Sequence, residues 1–284
     1  MKNSAITLCI LAAVLCGCAT TAADHQVLCT QSSEPISATT ESSELTDDSE
    51  ETASLITDAT TTPKNMELPY GSYCDKYSSI RLGASMDYWL HVPENATTEM
   101  PLIVFLHGVG EVDRVDLLEN YGIIQKAREY YGEEFPFIVL TPCTQIKSWT
   151  HNNNPELLKE LIDYIVTSYE IDREKIILTG HSLGSIGTWY MLSQYGDYFS
   201  AGVPISCGCD EILTIENIAK VPIKAYVGDA DSYEPKYENG MRRILQNVLD
   251  AGGRAELIVL TGMTHEDTIT EAYNLELFDW MISQ

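Results

Sequence analysis

Apolar residues along this chain fall into short unbroken runs separated by longer, periodically apolar stretches. The runs cover 101–106, 137–140, 176–178, 201–205, 223–227 and 257–260. Runs of three to six largely apolar positions suit strands buried on both faces, as in a parallel sheet. Upstream, 77–82 and 85–92 read as two antiparallel strands split by Gly83. Between the runs the period changes. In 155–169, Leu158, Leu161, Ile162, Ile165 and Tyr169 recur at three-to-four spacing, which predicts an amphipathic helix with Pro155 in its first turn and Asn154 as its cap. A similar pattern over 241–249 stops at Gly252-Gly253, a third helix follows Ser182 and ends near Tyr195, and 268–282 closes the chain as a fourth. Strands alternating with helices predict an α/β domain with a mostly parallel central sheet flanked by helices.

The first 66 residues lack this pattern. Met1-Lys2-Asn3 is a short basic start, and the apolar run that follows is too short to span a bilayer. It ends in Leu15-Cys16-Gly17-Cys18, which resembles a bacterial lipobox. On that pattern 1–18 is a lipoprotein signal peptide and Cys18 becomes the lipidated terminus. Cys16 fits worse, because bulky Leu15 would occupy the cleavage position. An ordinary signal peptide cut at a later site is the alternative. Residues 19–66 are rich in Ser, Thr and acids, with nine acids against the single base Lys64. Such a segment buries too little apolar surface to offset its ordering entropy, which predicts a disordered tether. A catalytic domain over 67–284 then stands on the outer face of a bacterial cell membrane, held there only by its lipid.

Composition narrows the chemistry. The formal net charge of −25 excludes a nucleic-acid partner, since a phosphate backbone needs Lys and Arg to displace its counterions. It also excludes electrostatic docking on anionic lipid. Cys29, Cys74, Cys143, Cys207 and Cys209 remain after the signal and the lipidated residue, an odd number that cannot all pair within one chain. Cys207-Gly208-Cys209 has no second close Cys or His pair beside it, so no metal is expected.

The strongest chemical signal is Ile176-Ile177-Leu178-Thr179-Gly180-His181-Ser182-Leu183-Gly184. An apolar strand enters Gly-x-Ser-x-Gly and a helix leaves it. The glycines let strand and helix approach around a sharp turn that lifts the Ser182 hydroxyl, the arrangement of a nucleophile elbow. A serine nucleophile needs a base, and in chains with this elbow an acid and then a histidine follow it. His265 is the only histidine after Ser182, in the loop beyond the last predicted strand. The acid belongs just after a strand, where Val227-Gly228-Asp229-Ala230-Asp231 offers two. Asp231 is preferred. Asp229 suits shaping the turn, and Asp210 is a third choice. Oxyanion donors are expected from the backbone N–H of Leu183 and from that of Val109 in His107-Gly108-Val109-Gly110-Glu111, with His107 supporting the loop.

Together, Phe105-Leu106-His107-Gly108-Val109-Gly110-Glu111, Thr179 to Trp189, Val203-Pro204-Ile205-Ser206, Val221-Pro222-Ile223 and Gly228-Asp229-Ala230-Asp231 resemble the α/β-hydrolase esterases related to prolyl oligopeptidase and the feruloyl esterases. The resemblance runs in order through nearly all of 70–284. It implies the α/β-hydrolase fold, a Ser182–Asp231–His265 triad, no cofactor, and hydrolysis of carboxylic esters with short or aromatic acyl groups, including esters on polysaccharides. Pro142-Cys143 followed by Trp149 is similar to the segment in which an aromatic lines the acyl site, so Trp149 and His181 are the substrate-binding candidates. Ser185 departs from the usual second glycine, and Asp231-Ser232-Tyr233-Glu234-Pro235 replaces the usual Asp-Pro-Val-Val-Pro. A peptidase with the same triad, an acyltransferase and a non-catalytic surface-binding lipoprotein are the competing readings.

Overall fold

The computed structural model describes residues 70–284. The signal peptide, Cys18, the tether and the boundary at 67 lie outside the described residues.

The chain enters as a hairpin, β1 (Gly71–Ser79) and β2 (Ala84–Val92), paired antiparallel from Gly71↔Val92 to Ser79↔Ala84. Six more strands follow: β3 (Leu102–Leu106), β4 (Ile138–Cys143), β5 (Ile176–His181), β6 (Ala201–Ile205), β7 (Ile223–Gly228) and β8 (Ala255–Leu260). All eight join one sheet in the order β1-β2-β4-β3-β5-β6-β7-β8, parallel from β4 onward.

Side chains alternate between the two faces of this sheet, and each face has its own core. Leu102, Val104 and Leu106 pack with α2 (Asn154–Ser168), α3 (Leu183–Gln194) and α5 (Glu234–Asp250). Ile103 and Phe105 pack on the other face with α1 (Ile123–Tyr131) and α7 (Leu275–Ile282). Two short helices, α4 (Ile215–Ile218) and α6 (Thr268–Glu271), complete the set. Each fully buried Leu, Ile or Phe contributes roughly 1.5–3 kcal/mol of transfer free energy. The central strands, covered on both sides, therefore had to be continuously apolar.

The topology also locates the site. After β3 the chain moves to one side for β4 and returns past β3 for β5. This reversal leaves a crevice beyond the carboxyl ends of β3 and β5, where open α/β sheets bind ligands.

Element ends depart from the sequence expectation for identifiable reasons. β1 covers 71–79 rather than 77–82, because its register with β2 sets its length and apolar Ile80 sits fully exposed at the hairpin tip. β4 continues through Pro142. The β3–β4 ladder ends at Val104↔Leu140, so Pro142 has only β2 beside it, an edge position where a missing N–H is tolerated. β8 is an edge strand and is only partly buried, not covered on both faces. Asn154 does not cap α2. Its amide donates to Thr144 Oγ1 and Ser148 O, each at 2.7 Å, and ties the preceding loop instead. The expected helix over 268–282 is α6 and α7, because Asn274 accepts the Leu277 N–H at 2.9 Å and restarts the helix. α5 begins at Glu234, ahead of its apolar periodic part.

Candidate active site

β5 ends at His181 and α3 begins at Leu183, so the whole change of direction falls on Ser182. Its φ of 55° and ψ of −113° lie where an L side chain is strained, at a cost of about 1–3 kcal/mol. The Ser182 N–H donates to Ile205 O at 3.0 Å. Tight packing holds the turn. A Cβ on Gly184 would stand 1.9 Å from Leu106 O, and one on Gly180 would stand 2.4 Å from Gly184 O. Both contacts are backbone, so both positions require glycine. Ser185, the departure from the usual glycine, is buried with its hydroxyl donating to Cys207 O at 2.6 Å.

His265 reaches the elbow from the loop after β8. Its Nε2 lies 2.9 Å from Ser182 Oγ and its Nδ1 lies 2.8 Å from Asp231 Oδ2. A carboxylate oxygen accepts, so Nδ1–H donates to Asp231 and Nε2 is left to accept the Ser182 proton. Asp231 comes from the turn after β7, and its side chain is fully buried. Its Oδ1 accepts the Tyr233 N–H at 2.7 Å. Asp229 is exposed and turns away; its Oδ1 accepts the Gly262 N–H at 2.5 Å and links the β7 and β8 turns. Asp210 is exposed, and Asp267 accepts from Thr264 N–H and Oγ1–H. Of the acids considered, Asp231 is the one the structure brings to His265.

The backbone of His265 is held as firmly as its ring. His181 Nε2–H donates to His265 O at 2.9 Å and lies 3.2 Å from Thr268 Oγ1. The Thr268 hydroxyl donates to the same carbonyl at 2.7 Å and accepts from Ser206 Oγ–H at 2.5 Å. Burial, and then the charge His265 would carry, push the His181 pKa down to about 4, which leaves a neutral imidazole. Its Nδ1 has no hydrogen-bond partner. His181 is therefore not a surface for substrate, as the sequence suggested; it is a buried support for the His265 loop. The sequence pattern assigns no role to Thr268 or Ser206. Ser206 carries a signal only in three dimensions, a buried non-glycine residue with φ of 68°.

Trp149 also needs correction. It is fully buried, its Nε1–H donates to His107 O at 3.1 Å, and a Cβ on Gly187 would lie 2.6 Å from its own Cβ. The ring therefore braces the β3 loop from inside and does not line an open acyl site. His107 holds the same loop. Thr144 N–H donates to its Nε2 at 3.1 Å, which puts the proton on Nδ1, and Nδ1–H donates to Gly108 O at 2.7 Å. Burial pushes the His107 pKa down to about 4.

This loop lies against the nucleophile. A Cβ on Gly108 would be 3.7 Å from Ser182 Cβ and 3.3 Å from Glu111 Oε2. Val109 opens the 3-10 turn Val109–Glu111, and Leu183 opens α3. N–H groups at first helical positions have no acceptor within the helix, which leaves them available to an anion at this positive end. Glu111 closes this turn. Burial raises its pKa, and the Tyr121 hydroxyl, its own N–H and that of Gly108 partly oppose the rise. The buried Oε2 of Glu111 has no hydrogen-bond partner among the described residues.

No protein-family profile matches the chain. Among characterised proteins it is 27% identical over 128 residues to a bifunctional acetylxylan esterase/xylanase of Neocallimastix patriciarum, covering 44% of this chain and 18% of that protein. It is 25% identical over 142 residues to feruloyl esterase B of Talaromyces funiculosus, covering 43% and 36%. The chain thus matches well under half the length of these relatives. Among solved structures, a thermostable esterase superposes with a TM-score of 0.64 at 26% identity, over 75% of this chain and 63% of that one. An acetyl xylan esterase from Aspergillus awamori gives 0.55 at 16% identity, over 73% and 99%. With the strand order above, these likenesses establish the α/β-hydrolase fold.

Proposed function

We propose that this chain is a serine hydrolase that cleaves carboxylic esters through an acyl-Ser182 intermediate. The observation that carries the reading is His265 set between Ser182 Oγ at 2.9 Å and Asp231 Oδ2 at 2.8 Å. In the first half-reaction Ser182 Oγ attacks the ester carbonyl while its proton passes to His265 Nε2. Asp231 stabilises the imidazolium through Nδ1–H. The N–H groups of Leu183 and Val109 donate to the tetrahedral oxyanion. Collapse breaks the bond to the alcohol oxygen, which leaves with the proton from His265. Water, deprotonated by His265, then attacks the acyl carbonyl and frees Ser182 and the acid. Each atom of the cycle is supplied by ester, water and these side chains.

Acetylated xylan and feruloyl esters are the substrate classes favoured, because the relatives are named for them. Purified protein is expected to hydrolyse 4-nitrophenyl acetate and to react with a fluorophosphonate probe. Turnover of peptide anilides should be at least about a hundredfold slower, as measured by kcat/KM. Faster anilide cleavage would transfer the site to a peptidase, and absence of both turnover and labelling would leave a binding protein. An acyltransferase would instead yield a new ester when an alcohol acceptor is added.

The location proposed is the outer face of a bacterial membrane, with lipid on Cys18. Support comes from Leu15-Cys16-Gly17-Cys18 after a short apolar run. Full-length protein expressed in a bacterium should fractionate with membranes and incorporate labelled palmitate. Cys18→Ser should lose the label; retention of label in this variant rules out Cys18 as the lipid site.

A further inference from the structure

The proton that His265 gives to the departing alcohol crosses a single hydrogen bond, so the alcohol side of the ester must lie beside the His265 ring. Among the described residues, two other rings lie against that imidazole. His181, with its centroid 4.9 Å away, is buried and offers no surface to a ligand. Tyr233 has its centroid 4.6 Å away, its plane tilted by 50°, and is 48% exposed. Its position is tied to the acid of the same triad, since its N–H donates to Asp231 Oδ1 at 2.7 Å. An aromatic ring half open to water thus stands against the imidazole whose Nε2 protonates the leaving group.

We propose that Tyr233 is the platform for the alcohol part of the ester, and that this part is a neutral sugar ring. The inference rests on the hydrolase reading above and sharpens its substrate class. A pyranose presents a flat face of C–H bonds, which meets the negative face of an aromatic ring and removes apolar area from water on both sides. Tyrosine has few torsions to freeze, so little entropy opposes the contact. A small alkyl alcohol is too short to cover the ring. The acidic balance of the chain weakly opposes alcohols that are themselves anionic, such as uronates or phosphosugars, and favours uncharged sugars.

The test keeps the acyl group constant and varies the alcohol, using acetylated xylobiose and ethyl acetate with the full chain. Both esters pass through the same acetyl-Ser182, so differences between them arise on the alcohol side. In Tyr233→Ala the loss of kcat/KM on acetylated xylobiose should exceed the loss on ethyl acetate by about tenfold, mainly through KM. Tyr233→Phe, which keeps the face and loses the hydroxyl, should retain the wild-type preference. Equal losses on the two esters, or loss of fluorophosphonate labelling in Tyr233→Ala, would mean that Tyr233 merely props His265 and would overturn the proposal. A wild type that cleaves ethyl acetate but not the xylobiose ester overturns it as well, with the hydrolase reading intact. A wild type that cleaves neither ester and takes no label removes the hydrolase reading itself.

Discussion

Replacing Ser182 by Ala should lower kcat for ester hydrolysis on the order of a millionfold and abolish fluorophosphonate labelling. The Ser182 oxygen is the atom 2.9 Å from His265 Nε2, and without it the imidazole has no nucleophile to activate. What survives should be a residual acceleration over water of about 10³–10⁴, from the oxyanion donors and from binding alone. The fold should be nearly unaffected. Alanine occupies the same backbone position with the same positive φ, so the strain is unchanged, and only a hydroxyl is removed. Stability within about 1 kcal/mol of the wild type by denaturant titration separates chemistry from unfolding. A variant that keeps more than a few per cent of wild-type turnover would show that another residue attacks the ester.

The parts of this molecule legible in the sequence are those where one local constraint dominates. β3, β5, β6 and β7 are covered on both faces, so their apolar runs had no competing interpretation. The elbow was legible because backbone approaches as close as those at Gly180 and Gly184 leave no other residue possible. His265 followed from chain order and the lack of a competitor. Element ends were less legible, because partners decide them. Ile80 reads as a strand residue until the β1–β2 register puts it at the turn. Asn274 reads as one more helical position until its side chain accepts the Leu277 N–H.

Trp149 and His181 mark a different limit. Their residue types and motif neighbours suggested contact with substrate, yet both are buried and act on backbone carbonyls, those of His107 and His265. A motif records that a residue adjoins the chemistry without recording which side of it faces solvent. Tyr233 is the converse. Its sequence context looked like a departure, and only its exposure beside His265 gave it a reading. The remaining choice, Asp229 or Asp231, turned on side-chain direction across two residues of one turn.

That choice yields the second large effect. Asp231→Asn should reduce kcat/KM about 10⁴-fold at neutral pH, whereas Asp229→Asn should stay within about threefold. Asp231 Oδ2 accepts Nδ1–H from His265 and so leaves Nε2 free to take the serine proton. An amide NH₂ in its place donates to Nδ1 and favours the tautomer with hydrogen on Nε2, which cannot act as base toward Ser182. The imidazolium formed during attack also loses its carboxylate partner in a buried site, where that partner matters most. Geometry should be conserved, since the asparagine carbonyl can still accept the Tyr233 N–H. Asp229→Asn keeps an acceptor for the Gly262 N–H and touches neither His265 nor Ser182. Rates of fluorophosphonate labelling should fall in parallel with ester turnover in Asp231→Asn, because both need the activated serine. If Asp229→Asn were the crippled variant and Asp231→Asn near wild type, the acid would have to be reassigned and the His265–Asp231 contact would be structural only.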